Sequence, residues 1–282
     1  MFVDIGIQNF DARALNHSSS EISLFRQKSN AAFNRDKLQS FLLGSENVLN
    51  AEAIVDACFP EVHADVFLSH AHRDEEDVIK LALSLEKLGL NVFVDSCVWG
   101  WADEILRVID EEFCYKKTSQ TFDYDLRNRT TSNVYMILNS ALQNMIASTE
   151  LLLFLQTNNS VKIGEYVKNK THLSSPWIFS ELIFAKLGQR TKRRRVKNYA
   201  FESFASDSKQ TELNKSFEVA FPNPGSRYEL ANNELQQWIQ QGYEKNISDD
   251  FSALTHLDVL YRRAGISSDE LSESRLLLPP KH

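Results

Sequence analysis

Cysteine is scarce in this chain: Cys58, Cys97 and Cys114 are the only three in 282 residues. They form no CxxC pair and no zinc-ligand spacing, which argues against a disulfide scaffold or zinc module and suits a reducing compartment. No apolar run approaches transmembrane length, and the first residues lack the basic-then-apolar build of a secretory leader. A cytoplasmic location without membrane contact is the expectation. Walker A and GxGxxG patterns are missing, as are internal repeats and low-complexity tracts. Positive charge is also short: a net charge of −7 argues against general nucleic-acid affinity. The basic run KRRRVK at 192–197 reads as a solvated face. The remaining composition, 43% hydrophobic and 24% charged, is that of a globular protein.

The most informative stretch is ADVFLSHAHRD at 64–74. Val66, Phe67 and Leu68 form a short apolar run suited to a strand buried on both faces. The run stops at Ser69, His70, His72 and Asp74. Val78, Leu81, Ala82, Leu85 and Leu88 then recur at helical steps, Gly89 can end that helix, and NVFVD at 91–95 is a second strand. This βαβ unit aims 69–73 and 95–96 at one crevice along the carboxyl ends of the strands.

Residues 1–62 read as a helical extension, with SSS at 18–20 a possible cap and 50–59 a short helix. After the CVWGW loop at 97–101, helical spacing resumes at Ile105, Leu106, Ile109 and Phe113. Residues 115–131 read as a polar insertion, and Ser132 as the cap of a helix carrying Val134, Leu138, Leu142 and Met145. ELLLFL at 150–155 is the third strand. Ser174-Ser-Pro176 opens a further helix in which Trp177 and Glu181 share one face, with Ile178, Leu182 and Ala185 beside them. Strands are expected at 198–201 and 217–221, followed by closing helices in a helical extension over 223–282. The expected fold is α/β: a mainly parallel, five-stranded sheet over 63–222, flanked by helices and extended by helices at both ends.

On residue chemistry alone several readings stay open. Glu181 is either a catalytic carboxylate or an ordinary helix glutamate, and Trp177 either core or a stacking platform. His70 and His72 lack a third ligand for a metal, so loop histidines shaping a pocket are preferred. Ser69 has no base and acid at triad spacing. Arg73 is either a pyrophosphate cation or solvated. Asp95 is either a ribose ligand or a cap, and Trp99 and Trp101 either pocket lid or self-association anchors.

DVFLSHAHRD at 65–74, GLNVFVDS at 89–96, STELLLFL at 148–155 and SPWIFSEL at 175–182, taken in order, resemble the Toll/interleukin-1 receptor (TIR) domain in its bacterial form. The VWGWAD loop and the insertion after it resemble a subgroup found in Thoeris-type anti-phage defence. The resemblance implies a TIR (flavodoxin-like) fold. It also implies cleavage of NAD between nicotinamide and ribose, giving ADP-ribose or a cyclic or conjugated nucleotide signal read by a downstream effector. NAD would be substrate, with no cofactor and no metal. Glu181 would be catalytic, Trp177 would stack the nicotinamide, and Phe67, Ser69, His70, Arg73, Asp95 and Trp99 would line the crevice. Active TIR assemblies often complete the site across two subunits, so self-association is expected. The rival readings are a non-catalytic TIR–TIR scaffold and a nucleotide sensor without turnover.

Overall fold

A computed structural model describes residues 1–28, 42–43, 48–58, 64–94, 96, 105–163, 171–191, 193 and 220–271. Its central sheet has five strands, all parallel: β1 (Val3–Gln8), β2 (Val66–Ser69), β3 (Val92–Val94), β4 (Leu151–Leu155) and β5 (Tyr228–Ala231). Their spatial order is β5-β1-β4-β2-β3. Among the described residues, seven principal helices accompany them: α1 (Ser19–Lys28), α2 (Ala51–Cys58), α3 (Glu75–Lys87), α4 (Tyr124–Ser148), α5 (Pro176–Leu187), α6 (Asn232–Glu244) and α7 (Asp250–Arg263).

Strand alternation sorts the side chains into two cores, one on each face of the sheet. Val3, Ile5, Ile7, Val66, Leu68, Leu151, Leu153 and Leu155 pack against α3, α6 and α7, where Leu81, Leu85, Trp238 and Leu257 close the layer. Phe67, Leu152 and Phe154 turn to the other face and meet Leu138 and Leu142 of α4 and Ile178, Leu182 and Ala185 of α5. Both faces of β2 and β4 are covered, which is why VFLS and LLLFL are almost uninterrupted apolar runs. Beyond α3, Gly89 adopts φ +84°, and a Cβ there would lie 2.8 Å from the Ser248 carbonyl carbon. Glycine is what lets the chain turn back under α7.

Local signals account for several helix starts. Ser18 and Glu21 form a reciprocal capping box before α1: the Glu21 amide donates to the Ser18 hydroxyl, and the Ser18 amide to Glu21. Ser175 caps α5, accepting from the Ile178 amide, with Pro176 in the first turn. The long helix α4 starts earlier than its apolar pattern indicates. Asp123, not Ser132, is the cap, accepting from the Leu126 amide at 3.0 Å. Its first two turns face solvent, so they carry no apolar period.

Two further corrections concern the ends of the chain. Residues 1–62 are not wholly helical: Val3–Gln8 lies in the middle of the sheet, paired with β4 on one side and β5 on the other. VDIGIQ is a period-two strand whose Val3, Ile5 and Ile7 are buried on one face. In the C-terminal segment the two expected helices exist, but Tyr228–Ala231 before them supplies the edge strand β5. The strand expected at 198–201 lies outside the described residues, as does most of 217–221. Phe221–Pro222 joins Thr171–Leu173 and Val161–Ile163 in a small antiparallel sheet. No helix among the described residues is long and apolar enough to cross a membrane.

Candidate functional site

The carboxyl ends of β2 and β4 lie side by side. From β2 the chain passes through α3 to β3 on one side, whereas after β4 it proceeds through α5 towards β5 on the far side of β1. Such a divergence leaves a crevice at the strand ends. Ser69, the last residue of β2, pairs with Phe154 and points to the α5 face. Glu181, in the second turn of α5, points back. The Ser69 hydroxyl donates to Glu181 Oε2 at 2.5 Å, and Glu181 is only 2% exposed. A charge-assisted hydrogen bond of this length holds the carboxylate at the mouth of the sheet.

The rim is laced by a residue to which the sequence pattern gave no role. Asp74 sits at the end of the 3₁₀ turn His72–Asp74 after β2. It accepts from the Thr157 hydroxyl and from the Asn159 side-chain amide, each at 2.5 Å, in the loop after β4. Thr157 Oγ1 also accepts from the Asn159 and Ser160 amides. The Ser174 hydroxyl donates to the Asn159 carbonyl at 3.1 Å. One carboxylate therefore ties the β2 loop to the β4 loop, which is tied in turn to the segment that starts α5. The position of Glu181 is inherited from this chain of bonds.

The other expected site residues divide. His70 is buried beside Ser69, a ring nitrogen 3.4 Å from the Leu68 carbonyl. Arg73 is exposed on the 3₁₀ turn. Phe67 is fully buried and stacked on Phe93, with centroids 5.3 Å apart, so its ring belongs to the core under the α5 face and does not reach the surface. Trp177, four residues before Glu181, is half-buried against Tyr135 of α4 at 5.3 Å. Asp95, Trp99 and Trp101 lie outside the described residues, as does all of the KRRRVK run except Arg193. That arginine is buried, with its guanidinium bonded to Leu271 O and Asp258. A cavity of about 610 Å³ lies on the opposite face, between α3, α6 and residues 14–17, with His17, Lys87 and Gln240 in its wall. Neither Ser69 nor Glu181 lines it.

Chemically, the crevice offers one desolvated carboxylate with a hydroxyl donor, and Arg73 on the solvent side. Such a carboxylate can stabilise developing positive charge or take a proton from water. No protein-family model, no curated protein and no solved structure matches this chain.

Proposed function

We propose that the protein is a TIR-type enzyme that cleaves NAD at the bond between nicotinamide and ribose, in bacterial anti-phage defence. The observation that carries this reading is the Ser69–Glu181 contact at the strand-end crevice, between residues 112 positions apart. The four sequence segments behind the TIR resemblance are β2, β3, β4 and the helix α5, all at or beside that crevice. The order β3-β2-β4 also matches the 2-1-3 portion of flavodoxin-like sheets.

In the reaction, the C–N bond breaks with its electron pair moving to the pyridinium nitrogen, so nicotinamide leaves neutral and needs no acid. The ribose becomes oxocarbenium-like, and the Glu181 carboxylate stabilises that charge. Water adds to the anomeric carbon and gives up its proton, yielding ADP-ribose. Attack by a nucleotide hydroxyl or ring nitrogen in place of water would yield a cyclic or conjugated signal for a downstream effector. NAD is substrate, the location is cytoplasmic, and self-association brings the crevice to its active form.

The burial of Glu181 also favours a second reading. A carboxylate 2% exposed and closed by Ser69 is suited to clamping α5 onto the sheet, as in a non-catalytic TIR–TIR scaffold. The test is nicotinamide release from NAD by concentrated wild type beside Glu181→Gln. Release by wild type alone supports the enzyme and its carboxylate, release by both removes Glu181 from the chemistry, and release by neither, even with phage-infected lysate, favours the scaffold.

A further inference from the structure

On the α5 face of the sheet, over β1 and β5, a second set of carboxylates is gathered. Asp4 and Gly6 face away from the core that holds Val3, Ile5 and Ile7. Asp4 is 2% exposed; its Oδ2 accepts from the Arg227 amide at 2.7 Å, and its Oδ1 has no hydrogen-bond partner among the described residues. Glu229 pairs in register with Gly6. Its outer side is exposed, but its carboxylate folds inward over the glycine. A Cβ on Gly6 would lie 2.5 Å from Glu229 Oε2 and 2.5 Å from Gln156 Nε2. Gln156 donates to Glu229 at 2.8 Å. Burial, with a smaller contribution from the charge of Asp4, pushes the Glu229 carboxyl above its usual range, against hydrogen bonds from Gln156 and the Ser226 backbone. Ser226 Oγ, in the turn entering β5, is a further buried oxygen with no partner among the described residues.

Neither carboxylate has an ion-pair partner among the described residues, although three cations lie nearby. Lys186 bonds the Pro224 carbonyl, the Arg227 guanidinium the Lys186 carbonyl, and Arg190 pairs with Glu270. A buried carboxylate oxygen without a partner, with a second, partly shielded carboxylate on the same face of the sheet, calls for a compensating positive charge or a proton. The acceptor atoms offered are all oxygens: Asp4 Oδ1, the Glu229 carboxylate and Ser226 Oγ. With neither thiolate nor imidazole, the set suits a hard cation and not zinc or copper.

We propose that the pocket framed by Asp4, Glu229, Gln156 and Ser226 binds one hard divalent cation, Mg²⁺ or Ca²⁺, and thereby pins β5 to β1. No group of three or more His, Cys, Asp or Glu residues is placed for a metal among the described residues. Neutral oxygens and water therefore complete the shell, and affinity is on the order of 10⁻⁴–10⁻³ M, as for sites with few charged ligands. The site is independent of the NAD reading.

The test titrates chelator-stripped full-length protein with CaCl₂ and, separately, MgCl₂, reading heat and melting temperature. The expected result is one saturable site for at least one ion, with an upward melting shift. Asp4→Asn abolishes both signals, Glu229→Gln weakens binding about tenfold or more, and Glu181→Gln leaves it intact. If Asp4→Asn fails to fold, the more peripheral Glu229→Gln decides. The proposal is overturned if neither ion binds up to roughly ten times that range, or if the two variants bind as wild type does. It is equally overturned if wild type ignores both ions while Glu229→Gln alone raises the melting temperature, since the charge is then relieved by a shared proton.

Discussion

Two carboxylate sites share one transverse row of the sheet. Ser69, Phe154, Gly6 and Glu229 are register partners in succession across β2, β4, β1 and β5. At one end Glu181 accepts a hydroxyl hydrogen bond and is sealed in by apolar neighbours. At the other, Glu229 lies over a residue without a side chain, and buried Asp4 stands on the same face of the sheet. Phe154 stands between Ser69 and Gly6 in that row. The difference shows how the same backbone frame can set up two kinds of electrostatics: a single closed carboxylate that is held in place, and a buried carboxylate with a more exposed one on the same face, which invites a counter-charge.

That contrast can be broken from either end. The largest expected effect is on chemistry: Glu181→Gln lowers nicotinamide release at least about a hundredfold, with melting temperature as the control for folding. Asp74→Ala leaves the Thr157 and Asn159 donors without their shared carboxylate, costing about 3 kcal/mol in denaturant unfolding. It also raises KM for NAD, because the crevice rim loosens while Glu181 remains. Ser69→Ala removes the donor to Glu181 and costs about 2 kcal/mol. At the other end, Gly6→Ala drives a methyl group into Gln156 and Glu229. Both can swing aside, so the cost is about 1 kcal/mol, but cation binding is lost in calorimetry.

The smallest effect is one of pH. Hydrogen bonds from Tyr228 and Ser267, aided by Arg190, lower the Glu270 carboxyl to about 2. A depressed carboxyl contributes stability that is complete above its unfolded value, near 4.5, and that is lost as pH falls toward about 2. Glu270→Gln should therefore lower the melting temperature slightly at neutral pH and flatten its decline across that acid window, in a melting series over pH.

The middle of the fold was legible because its signals are local. VFLS, VFV and LLLFL are buried strands, and the periodic helix between Glu75 and Lys87 joins two of them. The ends were harder to read. VDIGIQ alternates, but Asp4 and Gly6 dilute it, and its partners begin at Leu151 and Tyr228, far along the chain. At the site, the four-residue step from Trp177 to Glu181 stood out, as did the stretch containing Ser69, and the structure brings Ser69 and Glu181 together. The role of Asp74 did not show, although the residue ends that stretch. Its partners are 83 and 85 residues away, in a loop whose Thr and Asn have no periodic signature. Asp4 was invisible for the same reason: a lone acid in a short strand takes its meaning from the neighbour that tertiary structure supplies.

The placement of β1 has a consequence for assembly. Of the five strands of the central sheet, β1 comes earliest in the chain, and it occupies an inner position that is completed only when residues from 151 onward, and then from 228 onward, arrive. Until then its apolar edge has no parallel partner among the strands of the sheet, and each closure spans most of the chain. Such long-range closure slows folding and prolongs exposure of an unpaired edge. Deleting residues 3–8 would leave β5 with no strand of the central sheet to lie against, separating it from the rest of that sheet.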